Sequence, residues 1–312
     1  MRTASLKRAA SAILIVMLTG VTLCAGATGA RAADGDKTDT NKVPATEAVR
    51  MLNTASFDEA LDTALARRGA AAAGLCGERD AVARRILLEY GAVFMAGEQV
   101  LPPPVCIFES AAEVAVFQAE AETLAAEVGG VTVELQPAAM RALLAARAEA
   151  LAEGLDITPR DGAEAARRNY QDTLRLWNSR LLPALEHWRL QGRLSAEEAV
   201  RLRALPVRRQ VGAVLELEGR GIFFSKDFSK SILHSVAAPG ASQHLAMLAF
   251  DANEYADEGV RRILARHGWF RTVRNDHPHF TYLGLPETRL PARGLKKITA
   301  AGGEFWVPNL EG

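Results

Sequence analysis

The 312-residue sequence is poor in cysteine, in net charge and in long apolar runs. Its three cysteines do not follow the spacing of a zinc knuckle, which argues against a small cysteine-ligated metal module. After the N-terminal region no apolar stretch is long enough to span a membrane. No internal repeat of useful length is present, which excludes a solenoid or a propeller.

The N-terminus has the order of a secretory signal peptide. Three basic residues precede an apolar stretch from Ala9 to about Gly26, and the sequence Ala30-Arg31-Ala32 offers an A-x-A cleavage site. A retained membrane anchor is the alternative, but the apolar run is short for a span. We therefore predict a signal peptide over residues 1–32 and a secreted protein, periplasmic or extracellular, without an integral membrane segment after cleavage.

Cleavage would leave an acidic protein. Residues 1–32 hold four basic and no acidic residues, so 33 basic residues would face 37 acidic ones in the mature chain. This formal charge of −4 makes nucleic acid a poor partner.

The cysteines that remain after cleavage are a single pair. Cys24 leaves with the signal peptide, and Cys76 and Cys106 stay in a compartment that is oxidising. Two buried free thiols are the alternative. We predict a disulfide between Cys76 and Cys106.

Composition divides the mature chain into three parts. Residues 33–47 are polar and without periodicity, which is typical of a flexible linker. Residues 48–130 are rich in Ala, Leu, Glu and Arg at helical spacing, as in Ala81–Met95 and Ala111–Val128, and predict a helical accessory domain. The third part, residues 131–312, mixes strand and helix signals.

The signals in this last part predict particular elements. Short strands are expected at Val131–Val133 and Leu155–Thr158, and Pro137 is expected to open a helix that Gly154 ends. The pattern also predicts a long helix over Ala163–Trp188 interrupted near Pro183, a helix capped by Ser195 and Glu198, and a hairpin within Gly294–Pro308.

Histidines concentrate in the last third of the chain. Five of the six lie there, and such clustering favours a metal site, although each one alone would more often be an ordinary histidine. The five are His234, His244, His267, His277 and His279.

The residue spacing in two segments indicates which of these histidines bind the metal. Residues 242–251 read SQHLAMLAFD, and residues 276–284 read DHPHFTYLG. Together they resemble the zinc D-alanyl-D-alanine carboxypeptidases of the VanY type, whose pattern is S-x-H-x-x-G-x-A-x-D followed by E-P-W-H. The resemblance implies an α+β fold, in which a small antiparallel sheet carries a zinc cleft flanked by helices.

The resemblance also implies roles for individual residues. His244, Asp251 and His279 would bind Zn²⁺, and Asp276 would be the general base. Ser242 would contact substrate. Arg168, in a stretch comparable to the family's arginine motif, would bind the terminal carboxylate of the substrate, with Arg160 as the competing candidate.

Two positions depart from the family pattern. Met247 stands where the family has glycine, so its backbone must adopt a conformation that an L-residue tolerates. Asp276 stands where glutamate is usual and is shorter by one methylene. His277 is a rival to His279 as a ligand, but its position matches the family's tryptophan region.

Two imidazoles and one carboxylate leave the fourth position of tetrahedral zinc open, which is a catalytic arrangement. The first functional hypothesis is thus a zinc peptidase that hydrolyses peptidoglycan stem peptides. The second is a non-catalytic cell-wall-binding protein on the same fold, and a third is a helical scaffold whose histidines are dispersed in space.

Overall fold

The computed structural model describes residues 55–69, 75–76 and 80–310, which have an α+β fold. The signal peptide predicted for residues 1–32 and the linker predicted for residues 33–47 lie outside the described residues. Within the described ranges, no helix combines the length and the apolar character that a membrane crossing needs.

Helices form most of the regular structure. They are α1 (Phe57–Ala66), α2 (Ala81–Tyr90), α3 (Ala111–Glu120), α4 (Pro137–Ala152), α5 (Tyr170–Leu190), α6 (Ala196–Ala204), α7 (Val207–Gly219) and α8 (Glu258–Arg266). Many begin where a side-chain oxygen accepts a hydrogen bond from an amide of the first turn, which satisfies a donor that the helix leaves free. These caps are Ser56, Asp80, Ser110, Asn169, Ser195 and Asp257.

The strands form three small antiparallel sheets. One is the hairpin of β1 (Leu124–Val128) and β2 (Val131–Leu135), and another is the hairpin of β6 (Leu295–Ala300) and β7 (Gly303–Pro308). The third is three-stranded, with β5 (His279–Tyr282) between β3 (Ala249–Asp251) and β4 (Trp269–Phe270). The backbone amide of Trp306 donates to the carbonyl of Arg271 at 2.8 Å and so ties β7 to the end of β4.

The boundary predicted between residues 130 and 131 lies in the turn of the first hairpin. Gly129 and Gly130 turn the chain with φ angles of 59° and 81°, and β1 and β2 pair on either side of them. Buried apolar residues before and after this point, among them Phe57 and Phe250, belong to one hydrophobic cluster. The accessory region and the region after it therefore share a core.

The predicted disulfide is present. Cys76 and Cys106 are joined, with their Cα atoms 5.1 Å apart, well inside the distance that a bridge tolerates. The amide of Cys106 also donates to the carbonyl of Leu75 at 2.8 Å. The bond closes the segment that contains α2 and the Pro102–Pro104 stretch.

Three predicted elements differ from the structure. The helix expected over 111–128 ends at Glu120, because the residues that follow pair with β2 as β1. No strand forms over Leu155–Thr158, and an isolated bridge joins the next residue, Pro159, to Ala252. Helix α5 begins at Tyr170 and continues through Pro183 without interruption.

Candidate metal centre

Neighbouring elements carry the three residues expected to bind metal. His244 lies in a 3₁₀ turn, Gln243–Ala246, directly before β3. Asp251 is the last residue of β3 and His279 is the first of β5, and the two lie opposite each other in the antiparallel register. Residues in such a pair have their Cβ atoms about 5 Å apart, so the sheet itself holds these two side chains together.

The three side chains converge on one point. His244 Nε2 lies 3.1 Å from His279 Nδ1 and 3.3 Å from Asp251 Oδ1, and the last two atoms are 3.1 Å apart. Ligands at about 2.0–2.1 Å from a tetrahedral zinc are about 3.3 Å from one another. The donor atoms therefore fit three corners of such a tetrahedron, and the cluster can hold a metal ion.

Hydrogen bonds determine which imidazole nitrogens face the cluster. The Nδ1 of His244 lies 3.1 Å from the carbonyl oxygen of Ala166, and the Nε2 of His279 lies 2.8 Å from Gln243 Oε1. Because both oxygens can only accept, each of these nitrogens carries the proton. The lone pairs of His244 Nε2 and His279 Nδ1 are therefore free for a metal, an arrangement usual for metal-ligating histidines.

The charge states also suit a metal site. Burial lowers the pKa of His244 to about 4, assisted by the positive charge of Arg168, so this imidazole is neutral at neutral pH. Burial alone would raise the pKa of Asp251, but its close contacts with His244 and His279 and the positive charge of Arg168 hold it well below its ordinary value. Neutral imidazole and ionised carboxylate are the forms that bind metal.

Arg168 lies beside the cluster rather than apart from it. Its Nη2 donates to Asp251 Oδ2 at 2.6 Å, and its Nε is buried without a hydrogen-bond partner among the described residues. The competing candidate, Arg160, is more exposed and lies over the ring of Tyr255. Arg168 thus neutralises a ligand carboxylate, a contact that the sequence did not indicate.

Asp276 is half-buried near the same cluster. Burial raises its pKa from 3.8 to about 6, and the negative charge of Asp251 acts in the same direction, against the attraction of His279 and Arg168. A carboxyl group with a pKa near neutrality is suited to accept and return protons.

The structure places the other two candidates differently. Ser242 is buried directly before the turn that carries His244, and its carbonyl accepts from the amide of Leu245 at 3.0 Å. His277 turns away from the cluster: its Nδ1 lies 3.1 Å from Arg271 Nη1, and its ring contacts that of Phe305. His279, not His277, is thus the histidine of the cluster.

Gln243 is a functional residue that sequence reasoning missed. Besides His279, its Oε1 accepts a hydrogen bond from Thr281, while its Nε2 donates to the carbonyl oxygen of Tyr90 at 2.8 Å. These bonds fix the orientation of the amide and so of the imidazole. Its position directly before His244 was the only sequence signal for such a role.

Met247 adopts a left-handed backbone conformation, which is less favourable for an L-residue than the tolerated conformation expected from the sequence. Its φ and ψ are 55° and 33°, and its side chain is completely buried. Left-handed backbone costs an L-residue about 1–2 kcal/mol. Burying a methionine side chain offsets a cost of this size, since deleting one destabilises proteins by about 2–5 kcal/mol.

No protein-family model matches the chain, and no curated protein sequence matches it either.

Proposed function

We propose that the protein is an exported zinc peptidase, similar to D-alanyl-D-alanine carboxypeptidases, that hydrolyses peptidoglycan stem peptides. The observation that carries the proposal is the cluster of His244 Nε2, Asp251 Oδ1 and His279 Nδ1, with mutual distances of 3.1–3.3 Å. The motif spacing around these residues and the position of Asp276 support it.

The donor set favours zinc over the other common divalent ions. Two imidazole nitrogens and one carboxylate oxygen are typical of catalytic zinc, whereas calcium and magnesium prefer oxygen ligands alone. When bound, zinc lowers the pKa of water to about 7 and polarises a carbonyl group.

The residues of the chain would then supply proton transfer and substrate binding. The Asp276 carboxylate accepts a proton as water attacks the peptide carbonyl, and it returns that proton to the leaving amine when the C–N bond breaks. Arg168 holds Asp251 through its Nη2. Its Nε is buried without a partner among the described residues, so it remains a donor that a substrate carboxylate could use.

The alternative is a non-catalytic cell-wall-binding protein with the same fold. The contact between Arg168 and Asp251 favours it, because an arginine engaged with a ligand is less available to a substrate. The two proposals are separated by metal content together with turnover, because a binding protein could keep the metal cluster without catalysing a reaction.

The test uses exported protein purified without chelators. We expect mass spectrometry to give a mature N-terminus near Ala33 and an intact bridge, and elemental analysis to give one zinc per chain. Incubation with defined stem peptides should release products that identify the bond cleaved, separating D,D-, L,D- and endopeptidase specificity. Zinc with peptide binding but no product would favour the wall-binding protein, and a chain that neither holds nor takes up zinc would exclude the peptidase and leave the wall-binding protein as the better proposal.

A further inference from the structure

A second candidate site lies away from the metal centre. A cavity of about 1170 Å³ is bordered by α8, by β4 and by the hairpin of β6 and β7. Its wall includes Phe280, which lies between His279 and Thr281 in β5. Because successive side chains of a strand point to opposite faces, the cavity and the metal cluster lie on opposite sides of the sheet.

The charges that line this cavity are mixed, with an excess of positive ones. Five basic and three acidic residues border it. Three of the basic residues form ion pairs with carboxylates: Arg262 with Glu258 at 2.8 Å, Arg266 with Glu149, and Lys297 with Glu287 at 2.7 Å. The other two, Arg261 and Arg271, form no ion pair with any carboxylate in the described part of the chain.

The lack of an ion pair is less expected for Arg271 than for Arg261, because Arg271 is only 8% exposed. Its guanidinium contacts His277 Nδ1 at 3.1 Å and lies over the rings of Phe280 and Phe305. Burial lowers its pKa to about 10, the positive charge of Arg261 adds to this effect, and the negative charge of Glu304 opposes it. A buried charge is costly without a carboxylate in direct contact, so an anion that binds here would stabilise the guanidinium.

Arg261 and Trp269 add donors to the same wall. The guanidinium of Arg261 donates only to the neutral carbonyl oxygens of Tyr255 and Ala256, at 3.2 and 2.5 Å. The indole Nε1 of Trp269 is buried and has no acceptor among the described residues. Three side chains of one cavity therefore have unused capacity to bind an acceptor.

We propose that this cavity binds a short acidic peptide, whose carboxylates pair with Arg261 and Arg271. Guanidinium groups match carboxylates in a bidentate way. The volume exceeds the 300–1,000 Å³ usual for small-molecule pockets, which favours an extended ligand. The three lining glutamates and the small excess of positive charges suit a ligand with two or three carboxylates and disfavour a polyanion such as nucleic acid. This proposal does not depend on a function for the metal centre.

The test is calorimetric titration of the mature chain with the peptide Glu-Ala-Glu-Ala-Glu, acetylated and amidated so that only side-chain carboxylates are charged. The Gln-Ala-Gln-Ala-Gln peptide is its neutral counterpart. We expect the acidic peptide to bind at least ten-fold more tightly than the neutral one, and to bind more weakly as salt is added. Equal affinity for the two peptides, or no binding of the acidic one, would overturn the proposal.

Single substitutions test whether the acidic peptide binds in this cavity. Arg271→Gln and Arg261→Gln should each weaken binding of the acidic peptide at least ten-fold, whereas Arg262→Gln, at an exposed residue of the same wall already paired with Glu258, should change it less than two-fold. Arg261 is less buried than Arg271, so its variant remains informative if Arg271→Gln fails to fold. Unchanged binding in Arg261→Gln, or displacement of the peptide by an equal concentration of inorganic phosphate, would contradict recognition of a peptide.

Discussion

The buried charged groups on the two faces of the three-stranded sheet differ in whether they form an ion pair. On the metal-cluster face, Asp251 is held by Arg168 and lies beside the imidazoles of His244 and His279, so its carboxylate has a counter-charge. On the cavity face, the guanidinium of Arg271 contacts aromatic rings and an imidazole and forms no ion pair with a carboxylate of the described residues. The same strand, β5, separates the two environments.

This difference indicates that the two faces suit ligands of opposite charge. The metal cluster is a set of acceptors arranged around a position for a cation, with its hydrogen bonds already made by Ala166 and Gln243. The cavity has donors on Arg261, Arg271 and Trp269 that no carboxylate of the described residues contacts, although three glutamates also line it. Electrostatics therefore assigns a cation to one face and an anion to the other.

The largest effect is expected from removing one ligand of the metal face. His244→Ala should reduce zinc affinity by more than about 100-fold and abolish turnover, because two protein ligands hold zinc poorly. Equilibrium competition with a chromophoric chelator measures this change. His267→Ala is the matched control, since His267 pairs with Glu149 outside the cluster and its loss should leave zinc affinity unchanged.

The next largest effect is expected from a substitution that lowers turnover without loss of the metal. Asp276→Asn should keep zinc but lower turnover of stem peptides by about 10²–10⁴-fold, because an amide cannot accept the proton. Asp161→Asn, at an exposed carboxylate, should retain full turnover. A variant at Asp276 that is as active as wild type would remove this residue from the mechanism.

A smaller effect is expected from the hydrogen bond that orients His279. Gln243→Ala should weaken zinc binding by about 10–100-fold, the range usual for groups that support a metal ligand. Gln210→Ala removes a buried amide that binds Trp177 instead, so it controls for general loss of stability. Equal zinc affinities in the two variants would contradict the positioning role.

The raised pKa of Asp276 predicts a pH-dependent difference in stability. Burial brings this pKa to about 6 in the folded metal-free protein, so the folded state binds the proton more tightly than the unfolded chain. Ionised Asp276 therefore destabilises the fold most above pH 6, and the penalty decreases as pH falls towards 4. In urea unfolding of metal-free protein, Asp276→Asn should be stabilised relative to wild type by roughly 2 kcal/mol more at pH 7.5 than at pH 4.5. A pH-independent difference would contradict the shift.

The smallest effect concerns Met247. Both Met247→Ala and Met247→Gly delete the buried side chain, but only glycine relieves the left-handed backbone. We expect both to be less stable than wild type and the glycine variant to be about 1 kcal/mol more stable than the alanine variant. Chemical denaturation measures the difference, and the opposite order would show that backbone strain is not significant at this position.

Local signals in the sequence predicted several elements well. Pro137 opens α4, the Ser195–Glu198 capping box begins α6, and the last hairpin lies within Gly294–Pro308. Each depends on hydrogen bonds or dihedral angles within a few residues. Motif spacing likewise identified the three residues of the metal cluster.

Features that depend on distant residues were harder to predict. Residues 124–128 continue a helical pattern in sequence, yet pairing with β2 makes them a strand. The contact between Arg168 and Asp251 joins residues 83 positions apart, and nothing near either residue indicates it. The buried guanidinium of Arg271 was missed for the same reason, since its surroundings come from β5 and β7.

The opposition of Asp251 and His279 across the sheet has a consequence for folding kinetics. A slip of one residue between β3 and β5 would direct one of these side chains to the other face, so the pairing register must form before both can bind one ion. An ion captured after that step stabilises the native state but not the transition state that precedes it. Zinc should therefore slow unfolding in proportion to its occupancy while leaving the refolding rate unchanged.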